Sequence, residues 1–295
     1  RPVIFLHGNY GNAYKGVYGG SAIFDHLKKT GGYEDSHLWS VSYLGMGNRG
    51  PQKGCTPFAS NVEDVRRVVD SVMEYLDVDK IDIIGYSLGT GMVRSYINGL
   101  EFIDSPKNTE TTFSPELSRS DNIGTAVLLA GINRGVGTWI DPIKGCTDSH
   151  WQNGSKFIID SEALEATNGV TYIAAYSSYD REEYLYKDEF WGDWMNVELE
   201  VLPEEKFNLY YSYVNGGNPV PETKSPNYLS SSTSGFTGDL DAATTSRNFT
   251  PEELGLQGLY ESGDYYNSQS LPWKIHNSFS GNINVLEWIA PYLNQ

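Results

Sequence analysis

Lys80-Ile81-Asp82-Ile83-Ile84-Gly85-Tyr86-Ser87-Leu88-Gly89 is the stretch on which the fold turns. Its first half is a short apolar run of strand length, and its second half is a Gly-x-Ser-x-Gly element. The residues that follow, Leu88 to Leu100, form a helix by their composition. A serine between such a strand and such a helix sits on a sharp turn with strained backbone. The glycines two residues before and after it keep neighbouring chain from clashing. The turn lifts Oγ above the sheet edge, and the helix behind aims its N-terminal amides at a developing oxyanion. Alone, the pattern arises by chance in chains rich in glycine and serine. Flanked by strand and helix, it marks Ser87 as a nucleophile.

Working outward, the same alternation continues. Val3 to Leu6 is a buried strand that runs into His7-Gly8, Ser21 to Lys29 a helix, and Leu38 to Leu44 a second strand. From Asn61 to Leu76 the apolar positions Val62, Val65, Val68, Val69, Val72, Met73 and Leu76 recur at helical spacing. Asn61 is the expected cap of that helix. Thr125 to Ala130, Val170 to Ser177 and Phe207 to Val214 are further strands, and Ile283 to Leu293 is the last helix. Strands that alternate with helices imply right-handed crossovers and a parallel sheet covered on both faces. The expected architecture is therefore α/β, a mostly parallel sheet of about six strands, in a single domain over residues 1–295. Asn108 to Asp121 and Asn215 to Gln269 show poor periodicity. The second is too long for an ordinary connection and is expected to be an irregular insertion.

Thirty-eight acidic residues against 21 basic ones leave a net charge of −17. That excludes nucleic acid or an anionic membrane as a natural partner, because phosphates would be repelled. The charge is spread along the chain, so a neutral or hydrophobic substrate fits the surface best. Apolar stretches are too short to span a bilayer. Cys55 and Cys146 are either one disulfide or two free thiols; a bridge would close a loop of about 90 residues, worth ~4 kcal/mol. No Cys-x-x-Cys occurs, which argues against a zinc or redox site. Few lysines, many Tyr, Gly, Ser and Asn residues and a low isoelectric point suit an exported, monomeric enzyme.

A serine nucleophile on this scaffold needs an acid and then a histidine later in the chain. Only His150 and His276 follow Ser87, and His150 precedes the expected acid strand. His276, in a loop before the last helix, is the base. Asp180, just past the strand Val170 to Ser177, is the acid that orients its ring. Glu182 and Glu183 stand in reserve, with Asp193, Asp239, Asp241 and Asp264 as outside candidates. The amides of Asn9, in the loop after the first strand, and Leu88 form the oxyanion hole. His7 has a structural role in that loop, and His26 and His37 are surface residues. Tyr184 to Trp194 holds five aromatics in 11 positions, either docked on the body or lining an apolar rim. Tyr10, Tyr86, Tyr184, Trp191 and Trp194 are candidate substrate contacts. The chemistry requires no metal or organic cofactor; calcium at an acidic loop would be structural.

Several segments resemble a known family. Pro2-Val3-Ile4-Phe5-Leu6-His7-Gly8-Asn9, the strand ending Ser42-Tyr43-Leu44, and Gly131-Ile132-Asn133-Arg134-Gly135 are similar to extracellular depolymerases that act on amorphous poly(3-hydroxybutyrate). The same core resembles the small class 2 bacterial lipases that lack a lid. Tyr176-Ser177-Ser178-Tyr179-Asp180 is similar to the acid segment of those lipases. The nucleophile motif departs, since the relatives usually carry Ala-His-Ser-Met-Gly, and Asn215 to Gln269 matches nothing in them. The resemblance implies an α/β-hydrolase fold and a secreted serine hydrolase acting on a polyester or an acyl lipid. A lactonase, thioesterase or amidase on the same scaffold, or a binding protein without catalysis, are the alternatives.

Overall fold

The computed structural model describes residues 1–8, 13, 21–43, 58–102, 111–131, 133, 156–177, 243–257 and 275–294. In chain order the elements are β1 (Val3–Leu6), α1 (Ser21–Gly31), β2 (Leu38–Val41), α2 (Phe58–Leu76), β3 (Ile81–Tyr86) and α3 (Leu88–Asn98). They are followed by β4 (Leu100–Phe102), β5 (Thr111–Phe113), β6 (Ile123–Leu129), α4 (Lys156–Glu165), β7 (Thr171–Tyr176), β8 (Thr245–Asn248) and α5 (Ile283–Ile289). Six strands form one sheet in the order β2-β1-β3-β6-β7-β8, and every pairing in it is parallel.

The strand sequences explain the layering. All four residues of β1 and all six of β3 are buried, so these central strands are covered on both faces. Side chains alternate between two cores. Ile4, Leu6, Ile83, Ala126 and Leu128 meet α2 and α3 through Val62, Val65, Val69, Met92 and Val93. Val3, Phe5, Ile84, Val127 and Leu129 meet α1 and α5 through Ile23, Leu27, Val285, Leu286 and Ile289. Gly99, at φ 74°, ends α3 in the left-handed conformation that glycine adopts freely. Asn282 caps α5, accepting from the amides of Asn284 and Val285.

Four local expectations are corrected. Helix α2 begins three residues earlier than expected, so Asn61 lies inside it, 2% exposed, rather than capping it. His26 is not a surface residue: with Ile23 and Leu27 it falls at i, i+3, i+4 on the buried face of α1. Thr111–Phe113, within a stretch read as irregular, pairs antiparallel with β4. The sixth sheet strand among the described residues is Thr245–Asn248, inside the stretch expected to be an irregular insertion. Thr-Ser-Arg-Asn has no apolar alternation because, among the described residues, it pairs on one side only, and it stays half-exposed. Phe207 to Val214 lies outside the described residues.

Two buried charge clusters, around Asp82 and between Arg94 and Glu165, tie elements of the fold together. Asp82 in β3, fully buried, accepts from Arg1 Nε at 2.8 Å, Thr125 N at 2.9 Å and Asn294 N at 2.6 Å. It joins β3 to β6 and to the end of the chain. Arg94 in α3 and Glu165 in α4, both with side chains fully buried, form a two-pronged pair with Nε–Oε1 2.7 Å and Nη2–Oε2 3.0 Å. Ser161 Oγ and Asn98 Nδ2 also donate to Glu165 Oε1, at 2.7 and 3.0 Å. Arg94 Nη1 donates to the carbonyl of Asn133, in the loop after β6. Removing one member strands the other charge in the core. Glu165→Ala should therefore cost about 3–5 kcal/mol, measured as a drop in the denaturant unfolding free energy; a loss below about 1 kcal/mol would contradict this account.

Candidate active site

Ser87 occupies the single-residue turn between β3 and α3, with φ 54° and ψ −124°. A side chain with positive φ is strained, at roughly 1–3 kcal/mol, and persists only where the surroundings over-determine it. They do so here. Ser87 N donates to the carbonyl of Leu129 in β6 at 2.8 Å. The Ser87 carbonyl accepts from Thr90 N at 3.0 Å and Thr90 Oγ1 at 2.7 Å. Close backbone approaches on both sides forbid a Cβ. One at Gly85 would lie 2.7 Å from the Gly89 carbonyl oxygen, and one at Gly89 would strike the carbonyl of Leu6. One at Gly8, after β1, would lie 2.9 Å from Ser87 Cβ.

His276 arrives from 189 residues along the chain, with Nε2 2.8 Å from Ser87 Oγ. It is buried at 4% exposure, on a turn whose residues Ile275 and Phe279 sit fully buried in the core. When Nδ1 carries the ring proton, Ser87 Oγ–H donates to Nε2, the arrangement a general base needs. Leu88, 8% exposed, opens α3, in the first turn, where amides lack partners within their own helix. Tyr86 does not meet the expectation of substrate contact. Its ring is fully buried, and its hydroxyl donates toward the His276 carbonyl at 3.1 Å and Asn277 Oδ1 at 3.2 Å.

All six sheet strands are parallel, so the chain leaves β7 at the same sheet edge where it leaves β3 for Ser87. Ser177, just past β7, is fully buried and donates from Oγ to the Phe249 carbonyl at 2.7 Å, while Phe249 N bonds to Tyr176 O at 2.8 Å. Phe249 in turn meets Phe279 edge-on, ring centroids 6.0 Å apart. The end of β7 and the segment that carries His276 thus share one aromatic contact. Asp180, Asn9, Tyr10, Tyr184, Trp191 and Trp194 lie outside the described residues, as do Cys55, Cys146 and the reserve acids Glu182 and Glu183. Among the described residues no group of three or more His, Cys, Asp or Glu side chains is placed to hold a metal, and no helix is long and apolar enough to cross a membrane.

Sequence reading missed Thr90, Phe249 and the Arg94–Glu165 pair, and gave Tyr86 a different role. For Arg94 there was a signal, a lone cation among the apolar residues of Met92-Val93-Arg94-Ser95-Tyr96-Ile97. For Phe249 there was none, because it acts through partners far away in sequence.

A family model described as lipase (class 2) matches residues 1–208. Among solved structures, the mature form of the lipase BlEst2 from Bacillus licheniformis is 12% identical with a TM-score of 0.46, the match covering 99% of this chain and 91% of that one. The phospholipase PlaB from Legionella pneumophila is 15% identical with a TM-score of 0.40, covering 64% of this chain and 40% of that one. The catalytic core domain of acetyl xylan esterase from Trichoderma reesei is 16% identical with a TM-score of 0.30, covering 46% and 66%. The chain therefore spans about two fifths of the Legionella phospholipase. No curated protein matches it in sequence.

His7 is the one other histidine near Ser87 among the described residues, and its environment unsuits it as a base. It is fully buried, stacked on Tyr43 with centroids 4.2 Å apart and planes 7° apart. Nδ1 donates to the Gly8 carbonyl at 2.7 Å, and Nε2 has no partner. Burial lowers its pKa to about 4, outweighing the bond to Gly8. The unfolded chain therefore takes up a proton near pH 6.5 that the native chain refuses until about pH 4. Stability from this residue is present above the unfolded value and is lost as pH falls through that window. His7→Phe keeps the ring but cannot titrate. Between pH 7.5 and 4.5 its unfolding free energy should fall by roughly 2–3 kcal/mol less than that of the wild type; equal falls would contradict a neutral His7.

Proposed function

The chain belongs to the class 2 lipase family, and from that premise we propose that it is a serine hydrolase of hydrophobic esters acting through Ser87, His276 and Asp180. It is a carboxylic ester hydrolase, and the observation that carries the finer reading is the 2.8 Å approach of His276 Nε2 to the Oγ of a strained Ser87. Ser87 Oγ attacks the ester carbonyl while its proton passes to Nε2. The tetrahedral oxyanion rests on the amides of Leu88 and Asn9. Collapse expels the alcohol, which takes the proton from His276. Water then enters and gives a proton to the same nitrogen as it adds to the acyl carbonyl; the bond to Oγ breaks, Ser87 takes that proton back from His276, and the acid is released. Asp180 fixes the tautomer that leaves Nε2 free to accept.

The substrate follows from three supports. The family model is a lipase model, the net charge of −17 disfavours anionic substrates, and the aromatic residues Tyr184, Trp191 and Trp194 follow the proposed acid closely in sequence. We therefore assign an uncharged ester of a hydrophobic acid, either an acyl lipid or an aliphatic polyester, met outside the cell. The polyester branch rests on the likeness of the segments around Asn9, Tyr43 and Asn133 to poly(3-hydroxybutyrate) depolymerases.

A panel of p-nitrophenyl butyrate, emulsified triglyceride, amorphous poly(3-hydroxybutyrate), a lactone and an anilide separates the branches. Hydrolysis of the first with one of the next two is expected; turnover of the lactone or anilide alone would reject the reading. On the best substrate, Asp180→Asn should lower kcat by on the order of 10³–10⁴, because the ring is then held in the wrong tautomer. A loss below about tenfold would move the acid to Glu182 or Glu183.

A further inference from the structure

Tyr86 immediately precedes the nucleophile, yet its side chain turns away from solvent and is fully buried. A buried phenol needs a hydrogen-bond partner. This one finds partners 190 residues away, the main-chain carbonyl of His276 at 3.1 Å and, beside it, Asn277 Oδ1 at 3.2 Å. Its ring has room because Gly8 lacks a side chain: a Cβ there would lie 3.1 Å from Tyr86 Cδ1 and 3.2 Å from Cε1. The Tyr86 and His276 rings are 5.3 Å apart and inclined at 42°.

The geometry gives that hydroxyl a consequence. Ser87 is fixed to the sheet by its own amide on Leu129 and by Thr90 on its carbonyl. His276 belongs to a short helical turn whose residues Ile275 and Phe279 are fully buried in the apolar core. Apolar contact resists separation but allows a turn to slide, whereas a hydrogen bond is directional. The base must stay within about 2.6–3.2 Å of the nucleophile to work. The residue covalently joined to Ser87 thus also holds the backbone of the base.

We infer that Tyr86 is a positioning residue for the ester hydrolysis proposed above: its hydroxyl, donating to the His276 carbonyl, sets the distance between Nε2 and Ser87 Oγ. The inference rests on the Ser87–His276 reading. It predicts a defect in the chemical step and not in substrate binding, because the phenol is buried and touches no substrate.

The test is Tyr86→Phe, assayed on p-nitrophenyl butyrate, with functional sites counted by titration with a fluorophosphonate. Per titrated site, kcat should fall about 10–100-fold, the effect of a small misplacement of the base, with KM within about twofold of the wild type. A purely structural tyrosine would lower the thermal midpoint and the number of titrated sites, and would leave kcat per site unchanged. That result overturns the inference. If Tyr86→Phe does not fold, 4-fluorophenylalanine at position 86 fills the space of the phenol but cannot donate. Per titrated site its kcat should fall by a similar factor at unchanged KM, and an unchanged kcat overturns the inference. A wild type that neither hydrolyses the ester nor takes the label removes the hydrolase reading and this inference together. An active wild type with unchanged kcat in Tyr86→Phe removes the inference alone.

Discussion

The backbone of Ser87, held at φ 54° between a strand and a helix, is the constraint on which the rest of the site depends. No residue with a side chain takes that conformation for its own sake. It is kept because the chain packs too tightly around it to relax: Gly85 against Gly89, Gly89 against the carbonyl of Leu6, and Gly8 against Ser87 itself. The amide of Ser87 is tied to β6 and its carbonyl to α3, so both neighbours would have to shift before the turn could open. Strain of this kind is stored where function needs a side chain lifted clear of a sheet edge.

A parallel sheet gives that edge its chemistry. Every strand of the six-stranded sheet ends on the same side, and Ser87 and the chain that continues past β7 emerge there. The buried polar groups are divided between the two ends of the strands. Asp82 collects Arg1, Thr125 and Asn294 near the start of β3, where nothing catalytic is proposed. Arg94 and Glu165 lie behind Ser87, and Arg94 also holds the Asn133 carbonyl in the loop after β6. Buried ion pairs seldom add net stability, but breaking one is costly, so each resists local rearrangement. The helix behind the nucleophile is thereby locked to the loop beside it.

The parts of this arrangement that follow a short-range rule were legible in the sequence. Val3 to Leu6 and Ile81 to Tyr86 are mostly apolar runs because both of their faces are buried, and the Gly-x-Ser-x-Gly element announces the turn from the second of them into α3. His276 could be found by chain order alone. Thr245–Asn248 could not, since an edge strand with half-exposed residues has no need of apolar alternation. His26 was misjudged because polarity suggested surface while its spacing from Ile23 and Leu27 pointed inward. Asn61 was placed as a cap because asparagine followed by Glu63 and Asp64 has the composition of a helix start, although Phe58 already stands at helical spacing from Val62. Tyr86 looked like a residue of the substrate cleft because it adjoins the nucleophile; its partner lies 190 residues away, where no local pattern reaches.

The central claim is that Ser87 is a nucleophile activated by His276. Fluorophosphonate labelling of the wild type beside Ser87→Ala, followed by intact mass and peptide mapping, tests it most directly. The account predicts one adduct per chain on the peptide that contains Ser87, absent from the variant. No adduct on the folded wild type, or one that persists in Ser87→Ala, would contradict it.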